Sequence, residues 1–211
     1  MKHINNSYFV VITLFVLAVA AVIAIVLTSD HQQSAEATIW RVDAPTKGKT
    51  SAKVKMVEFG DFACVACADF RAIKNALLEQ YPNDLQYQFR FFPTANHPNS
   101  YSAAVTAEIA NQHDQFWVMS DLLYENHANW QDSTNFRSIF ANFAVLVGID
   151  QSTFTSDFDK LKTADDVVDK DVADGNALSI TETPAIFLND TRYGGTLTQT
   201  DLAKAIDSLL K

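Results

Sequence analysis

The stretch Val57-Glu58-Phe59-Gly60-Asp61-Phe62-Ala63-Cys64-Val65-Ala66-Cys67-Ala68-Asp69-Phe70 decides the fold. An apolar strand, Val54 to Phe59, runs into a helix, and the turn between them carries the only two cysteines of the chain. Thiols at i and i+3 of a helix start are placed for redox chemistry. At Cys64 the unpaired backbone N–H groups and the positive end of the helix dipole favour a thiolate, and Cys67, one turn on, is the resolving partner. A purely structural disulfide across so short a loop would restrict the unfolded chain by only about 2 kcal/mol. A zinc or copper site would need further ligands. The five histidines, His3, His31, His97, His113 and His127, form no close ligand pair, so no metal site is expected.

Outward from this stretch, the helix carries Phe70, Ile73, Leu77 and Leu78 on one face and stops near Pro82, so it packs on a sheet. Leu85 to Phe92 alternates apolar and polar residues as a second strand. Upstream, Ile39 to Val42 reads as a short first strand and Pro45 to Ser51 as loop. From residue 98 to 178 the pattern is helical, with apolar faces at Phe116, Met119, Leu122 and Leu123 and again at Phe136, Ile139, Phe140, Phe143 and Val147, closed by Gly148 as a C-cap. The aspartates between Asp150 and Asp174, interspersed with Lys160, Lys162 and Lys170, do not follow a calcium-loop pattern. A solvated helix face is expected there, with a weak structural calcium site as the alternative. The chain returns to strand at Ala185 to Leu188, turns at Asn189-Asp190, pairs Arg192 to Gly194 as a hairpin, and ends in a helix from Gln199 with Leu202, Ile206 and Leu209 inward. The order is β-α-β, helical insertion, β-β-α.

The 211 residues carry a net charge of −9, and no Arg/Lys stripe is interleaved with aromatics, which argues against nucleic-acid binding. Residues 8–27 form an uncharged apolar run, which at about 1.5 Å per helical residue matches a hydrocarbon core of about 30 Å. Lys2 before it and Asp30 after it place the N-terminus in the cytoplasm and the rest outside. The expected organisation is a cytoplasmic tail over 1–7, a transmembrane anchor over 8–27 and a tether over 28–37. A sheet domain then runs over 38–97 and 179–211, with a helical insertion at 98–178. A signal peptide ending at Ala35-Glu36-Ala37 is the alternative, but the apolar run is longer than a signal core and ends well before that triplet. Either arrangement exports the domain to an oxidising compartment.

The element order, with two cysteines at the first helix and Thr183-Pro184 before the third strand, resembles the thioredoxin fold. Together with Val57-Glu58-Phe59-Gly60-Asp61-Phe62, Gln115-Phe116-Trp117 in the insertion and Thr183-Pro184-Ala185-Ile186-Phe187, it resembles the DsbA-like thiol:disulfide oxidoreductases. Their membrane-anchored BdbD-type branch is the nearest likeness. The resemblance implies that Cys64 is the attacking thiol and Cys67 the resolving thiol. It further implies a cis Thr183–Pro184 bond forming the wall against which a substrate lies, and Glu58 as a proton relay to Cys67. It implies a monomer that introduces disulfides into reduced or unfolded exported polypeptides. No cofactor beyond the Cys64–Cys67 disulfide is implied, and an integral-membrane, quinone-linked thiol oxidase would act as reoxidant. A reductase or isomerase of the same fold and a redox-inactive chaperone-like binding module are the alternatives. Val65-Ala66 departs from the family's usual proline and polar or histidine residue between the cysteines, which leaves the helix N-terminus and backbone donors to stabilise the thiolate.

Overall fold

In the computed structural model the described residues are Ile12, Phe15, Val16, Val19, 38–161 and 167–211. The chain divides into two compact units, Met1–Glu36 and Ala37–Lys211. In the first unit the four described residues are helical, and the rest of the expected tail, anchor and tether lies outside the described residues. Among the described residues no helix is long and apolar enough to cross a membrane.

The second unit is built on a five-stranded sheet. Its strands are β1 (Thr46–Gly48), β2 (Val54–Gly60), β3 (Leu85–Phe91), β4 (Ala185–Leu188) and β5 (Thr191–Arg192), in the spatial order β1-β3-β2-β4-β5. β2 and β3 run parallel, joined by the helix α1 (Val65–Gln80), while β1, β4 and β5 pair antiparallel with their neighbours. The helical insertion comprises α2 (Ser100–Gln112), α3 (Phe116–Glu125), α4 (His127–Trp130), α5 (Phe136–Leu146), α6 (Gln151–Leu161) and α7 (Val167–Ala177). The last helix, α8 (Gln199–Leu210), is capped by Thr198, whose hydroxyl oxygen accepts the Asp201 N–H at 3.2 Å.

The first strand is not Ile39–Val42, as the apolar pattern suggests, but Thr46–Gly48 inside the expected loop. An edge strand of three residues needs only its backbone groups, and these pair with Gln86, Tyr87 and Gln88. Ile39 and Trp40 are apolar for another reason: they pack on the sheet face formed by Val57, Phe59, Ala185 and Phe187. The second hairpin strand is also shorter than expected, ending at Arg192.

Strand periodicity assigns side chains to two faces. Met56, Tyr87, Phe89, Phe91, Ile186 and Leu188 face the core shared with α1, α8 and the insertion. The alternation in β3 is real, yet its polar face is buried too: Gln86, Gln88 and Arg90 are all inaccessible. Residues 38–41 and α7 cover it. Gln88 exchanges two hydrogen bonds with the Arg41 backbone, at 2.6 and 2.8 Å. Arg90 donates to the Thr38 and Ile39 carbonyls at 2.6 and 2.9 Å, to Asp171 at 2.6 Å and to Asp174 at 2.5 Å.

This revises the reading of the acidic stretch as a solvated face. Asp171 is fully buried between Arg90 and Arg41, whose Nε atoms lie 2.6 and 3.0 Å from its Oδ1. Asp150 instead caps α6, accepting the N–H groups of Ser152 and Thr153 at 2.8 and 3.1 Å.

Three helices end on a left-handed residue: Asp114 at φ 59°, Gly148 at φ 85° and Ser179 at φ 57°. At each, the next residue's N–H reaches back to a carbonyl in the last turn: Gln115 to Ala110 at 2.7 Å, Ile149 to Ala144 at 2.8 Å and Ile180 to Gly175 at 2.9 Å. Gly175 has a separate, steric reason to lack a side chain, since a Cβ there would sit 2.5 Å from two ring carbons of Phe92. Gly175→Ala is therefore expected to destabilise by ~1–2 kcal/mol, the overpacking exceeding the ~1 kcal/mol gained in helix propensity. Urea denaturation should show a lower midpoint at unchanged slope.

Candidate active site

β2 delivers the chain to the N-terminus of α1, and Cys64 is the residue that makes the turn. It sits at the N-cap in extended geometry (φ −87°, ψ 120°), and its carbonyl accepts the Cys67 and Ala68 N–H groups, both at 3.1 Å. Its thiol is half-buried and donates to the Thr183 carbonyl at 3.3 Å. Cys67 lies one turn on, only 1% exposed, with the Asp61 N–H aimed at its sulfur from 3.5 Å. The peptide bond between Thr183 and Pro184 is cis, and the Thr183 carbonyl lies against the Cys64 sulfur.

The two thiols are electrostatically unlike. Donation from the Cys67 thiol holds Cys64 down at about 5, against the opposing effect of burial and with further help from Thr183 and the N–H groups of Cys67 and Ala66. Burial drives Cys67 well above the ordinary thiol range, reinforced by the Cys64 and Glu58 charges. No side chain of Val65 or Ala66 takes part. The Cys67 thiol and Thr183, with the backbone of the first helical turn, stand in for a polar residue between the cysteines.

Glu58 is on the face of β2 that looks toward α1. It is buried, and it accepts the Tyr87 hydroxyl at 2.5 Å through one oxygen, while the other has no hydrogen-bond partner among the described residues. Burial raises its carboxyl to about 7, against the lowering effects of Tyr87 and Lys74. Lys74 is itself buried and lowered to about 8 for the same reason, its ammonium lying 5.0 Å from the Tyr87 ring and 5.2 Å from that of Trp117. A carboxyl raised to about 7 thus acts on the buried thiol, and an ammonium lowered to about 8 acts on that carboxyl. Sequence reasoning missed Lys74 and Tyr87. The signal for Lys74 was available, since it falls between Phe70 and Leu77 on the buried stripe of α1. Gln115-Phe116-Trp117 docks the insertion behind this group, with the Phe116 ring 5.5 Å from Phe89 and the Trp117 ring 5.8 Å from Tyr87.

Comparison with known proteins agrees with this architecture. The family profile described as Thioredoxin matches residues 41–208. The chain spans about a quarter of the length of the first curated relatives it matches. One of these is the Na(+)/H(+) antiporter NhaA 1 of Mycolicibacterium vanbaalenii, 28% identical over 165 residues, covering 77% of this chain and 26% of that one. The probable disulfide bond formation protein D of Bacillus cereus is 29% identical over 213 residues, covering 96% of this chain and 95% of its own. Among solved structures, oxidised BdbD from Bacillus subtilis superposes with a TM-score of 0.71 at 24% identity, covering 80% of this chain and 93% of that one. The thiol-disulfide exchange protein alpha-DsbA2 of Wolbachia pipientis superposes with a TM-score of 0.66 at 20% identity, covering 81% and 89%.

Proposed function

The chain belongs to the thioredoxin family, and from that premise we propose that it is a thiol:disulfide oxidoreductase that donates disulfides to exported polypeptides. The observation that carries this reading is the Cys64 thiol, placed at a helix start, accessible, and lowered to about 5. A stabilised thiolate stabilises the reduced protein, which makes the oxidised protein a good disulfide donor.

A substrate thiolate attacks Cys64 of the Cys64–Cys67 disulfide; the S–S bond breaks, and its electron pair leaves on Cys67. That sulfur is in apolar surroundings and takes a proton, for which Glu58, held near neutrality, is the source. The substrate's second thiolate then attacks the substrate sulfur of the mixed disulfide and releases the Cys64 thiolate. Two electrons have passed from the substrate dithiol to the enzyme. Thr183 and Pro184 form the wall beside Cys64, where an extended substrate can lie. An integral-membrane, quinone-linked thiol oxidase would restore the disulfide, and residues 8–27 would anchor the domain, as a monomer, on the outer side of the membrane. No cofactor beyond the cysteine pair is required.

The deciding experiment is the equilibrium potential against glutathione. A value near about −120 mV supports disulfide donation, and one near about −270 mV would mean a reductant and sink the proposed direction. Its pH dependence is a further check. Below pH ~5 reduction takes up two protons, so the potential should fall by about 59 mV per pH unit; above it, with Cys64 remaining a thiolate, by about 30 mV.

A further inference from the structure

Asp61 occupies the turn between β2 and α1 and is buried. Its backbone touches both cysteines: its carbonyl accepts the Cys64 N–H at 3.1 Å, and its own N–H points at the Cys67 sulfur from 3.5 Å. Its carboxylate is turned toward the start of the helical insertion. Oδ1 accepts the Ala63 N–H at 2.8 Å and the Ser100 hydroxyl. Oδ2 accepts the Thr94 N–H at 3.0 Å and the Thr94 hydroxyl at 2.8 Å, and it lies 2.7 Å from Nδ1 of His97. Four donors and the His97 ring nitrogen converge on one group, and a carboxylate can accept all four where an amide cannot. The Ala63 peptide is held from its other side as well, because its carbonyl lies 2.9 Å from Nε2 of His127, whose ring packs edge-on against Trp130 at 5.5 Å.

The residues that fasten this turn therefore come from outside it. Thr94, His97 and Ser100 stand at the entrance to the insertion, and His127 lies in α4. With Val65 and Ala66 offering no polar side chain, the Cys64 thiolate depends on the Cys67 thiol, on Thr183 and on the N–H groups of Cys67 and Ala66, and the donors of the turn point at Cys64 only while the turn is held in place.

We propose that Asp61, oriented by His97 and Ser100 and supported by His127 at Ala63, is the positioning residue that ties the Cys64–Cys67 turn to the helical insertion and so sets the oxidising strength of the pair. The inference rests on the exchange reaction proposed above. In the dithiol form residue 61 is in contact with both cysteines, so the anchoring acts on the reduced state whose thiolate it positions.

The test is carried out on the full chain with Asp61→Asn, which keeps the shape and places N–H groups against donors. The thiolate absorbance of the reduced protein and the glutathione equilibrium are both measured, with circular dichroism to confirm folding. The thiolate midpoint is expected to rise, and the equilibrium to move about tenfold toward the disulfide form, or about 30 mV toward a weaker oxidant. If Asp61 acted only through its negative charge, removing it would move both quantities the opposite way, which would overturn the proposal. His127 supplies a second variant pair. His127→Gln keeps a donor within reach of the Ala63 carbonyl and is expected to stay within twofold of wild type, while His127→Leu should shift in the direction of Asp61→Asn. Equal values for the glutamine and leucine variants would overturn the proposal even if Asp61→Asn fails to fold. A wild-type protein that does not exchange with glutathione would instead sink the functional reading, and the thiolate midpoints would still decide the positioning role.

Discussion

Replacing Cys64 with serine is expected to abolish dithiol–disulfide exchange, whereas in Cys67→Ser the Cys64 thiolate should still attack a disulfide-activated cysteine, expel its leaving thiol and keep the mixed disulfide. The asymmetry follows from placement. Cys64 stands at the open end of α1 beside Thr183 with its thiolate stabilised, while Cys67 is inaccessible and held as a thiol. A serine hydroxyl at position 64 cannot form the mixed disulfide, and the buried sulfur at 67 cannot reach a polypeptide. Without Cys67, the adduct on Cys64 has lost the intramolecular thiol that would resolve it. Incubation with an activated cysteine peptide, followed by non-reducing electrophoresis and mass spectrometry, should show a one-to-one adduct on Cys64 of the Cys67→Ser variant. A comparable adduct on Cys67 of the Cys64→Ser variant would refute the assignment of roles.

The largest effect on stability is expected at Arg90. Arg90→Met should cost ~3–5 kcal/mol, because it leaves Asp171 buried with only the more distant Arg41 as its cation. The Thr38 and Ile39 carbonyls would lose their donors as well, so residues 38–41 should loosen from the sheet together with the acidic face of α7. Pairing the change with Asp171→Leu should recover part of the loss, since removing both charges is cheaper than stranding one, although the Phe91 N–H then lacks its acceptor. Urea denaturation of the single and double variants reads both effects. A single variant costing under ~1 kcal/mol would show that the cluster contributes little.

The chemistry-bearing part of the site was legible because it is local. Two cysteines one helical turn apart after an apolar strand fix their own placement at the helix start, and a glutamate within that strand stands beneath them. The groups that tune them are not local. Lys74 reads as one charge on an amphipathic helix and Tyr87 as one aromatic in a strand; the packing of α1 on the sheet brings the first to Glu58, and the pairing of β2 with β3 brings the second. Asp61 carries even less signal, because its meaning lies in donors more than thirty residues downstream. The misplaced first strand has a similar cause: periodicity reports which residues pack on apolar surface, and Ile39 and Trp40, half-buried, do so without being strand. Likewise the aspartate-rich segment looks uniformly solvated until Arg90, far away in sequence, is placed against Asp171.

The three left-handed helix ends have a consequence for how this protein can be altered. Only Gly148 meets that geometry with the residue best suited to it; Asp114 and Ser179 hold a backbone conformation that costs an L-residue ~1–2 kcal/mol. Neither is part of the cysteine turn or of the group around Glu58. The molecule therefore holds an unused margin of robustness at two surface corners, which could absorb the cost of remodelling the catalytic centre.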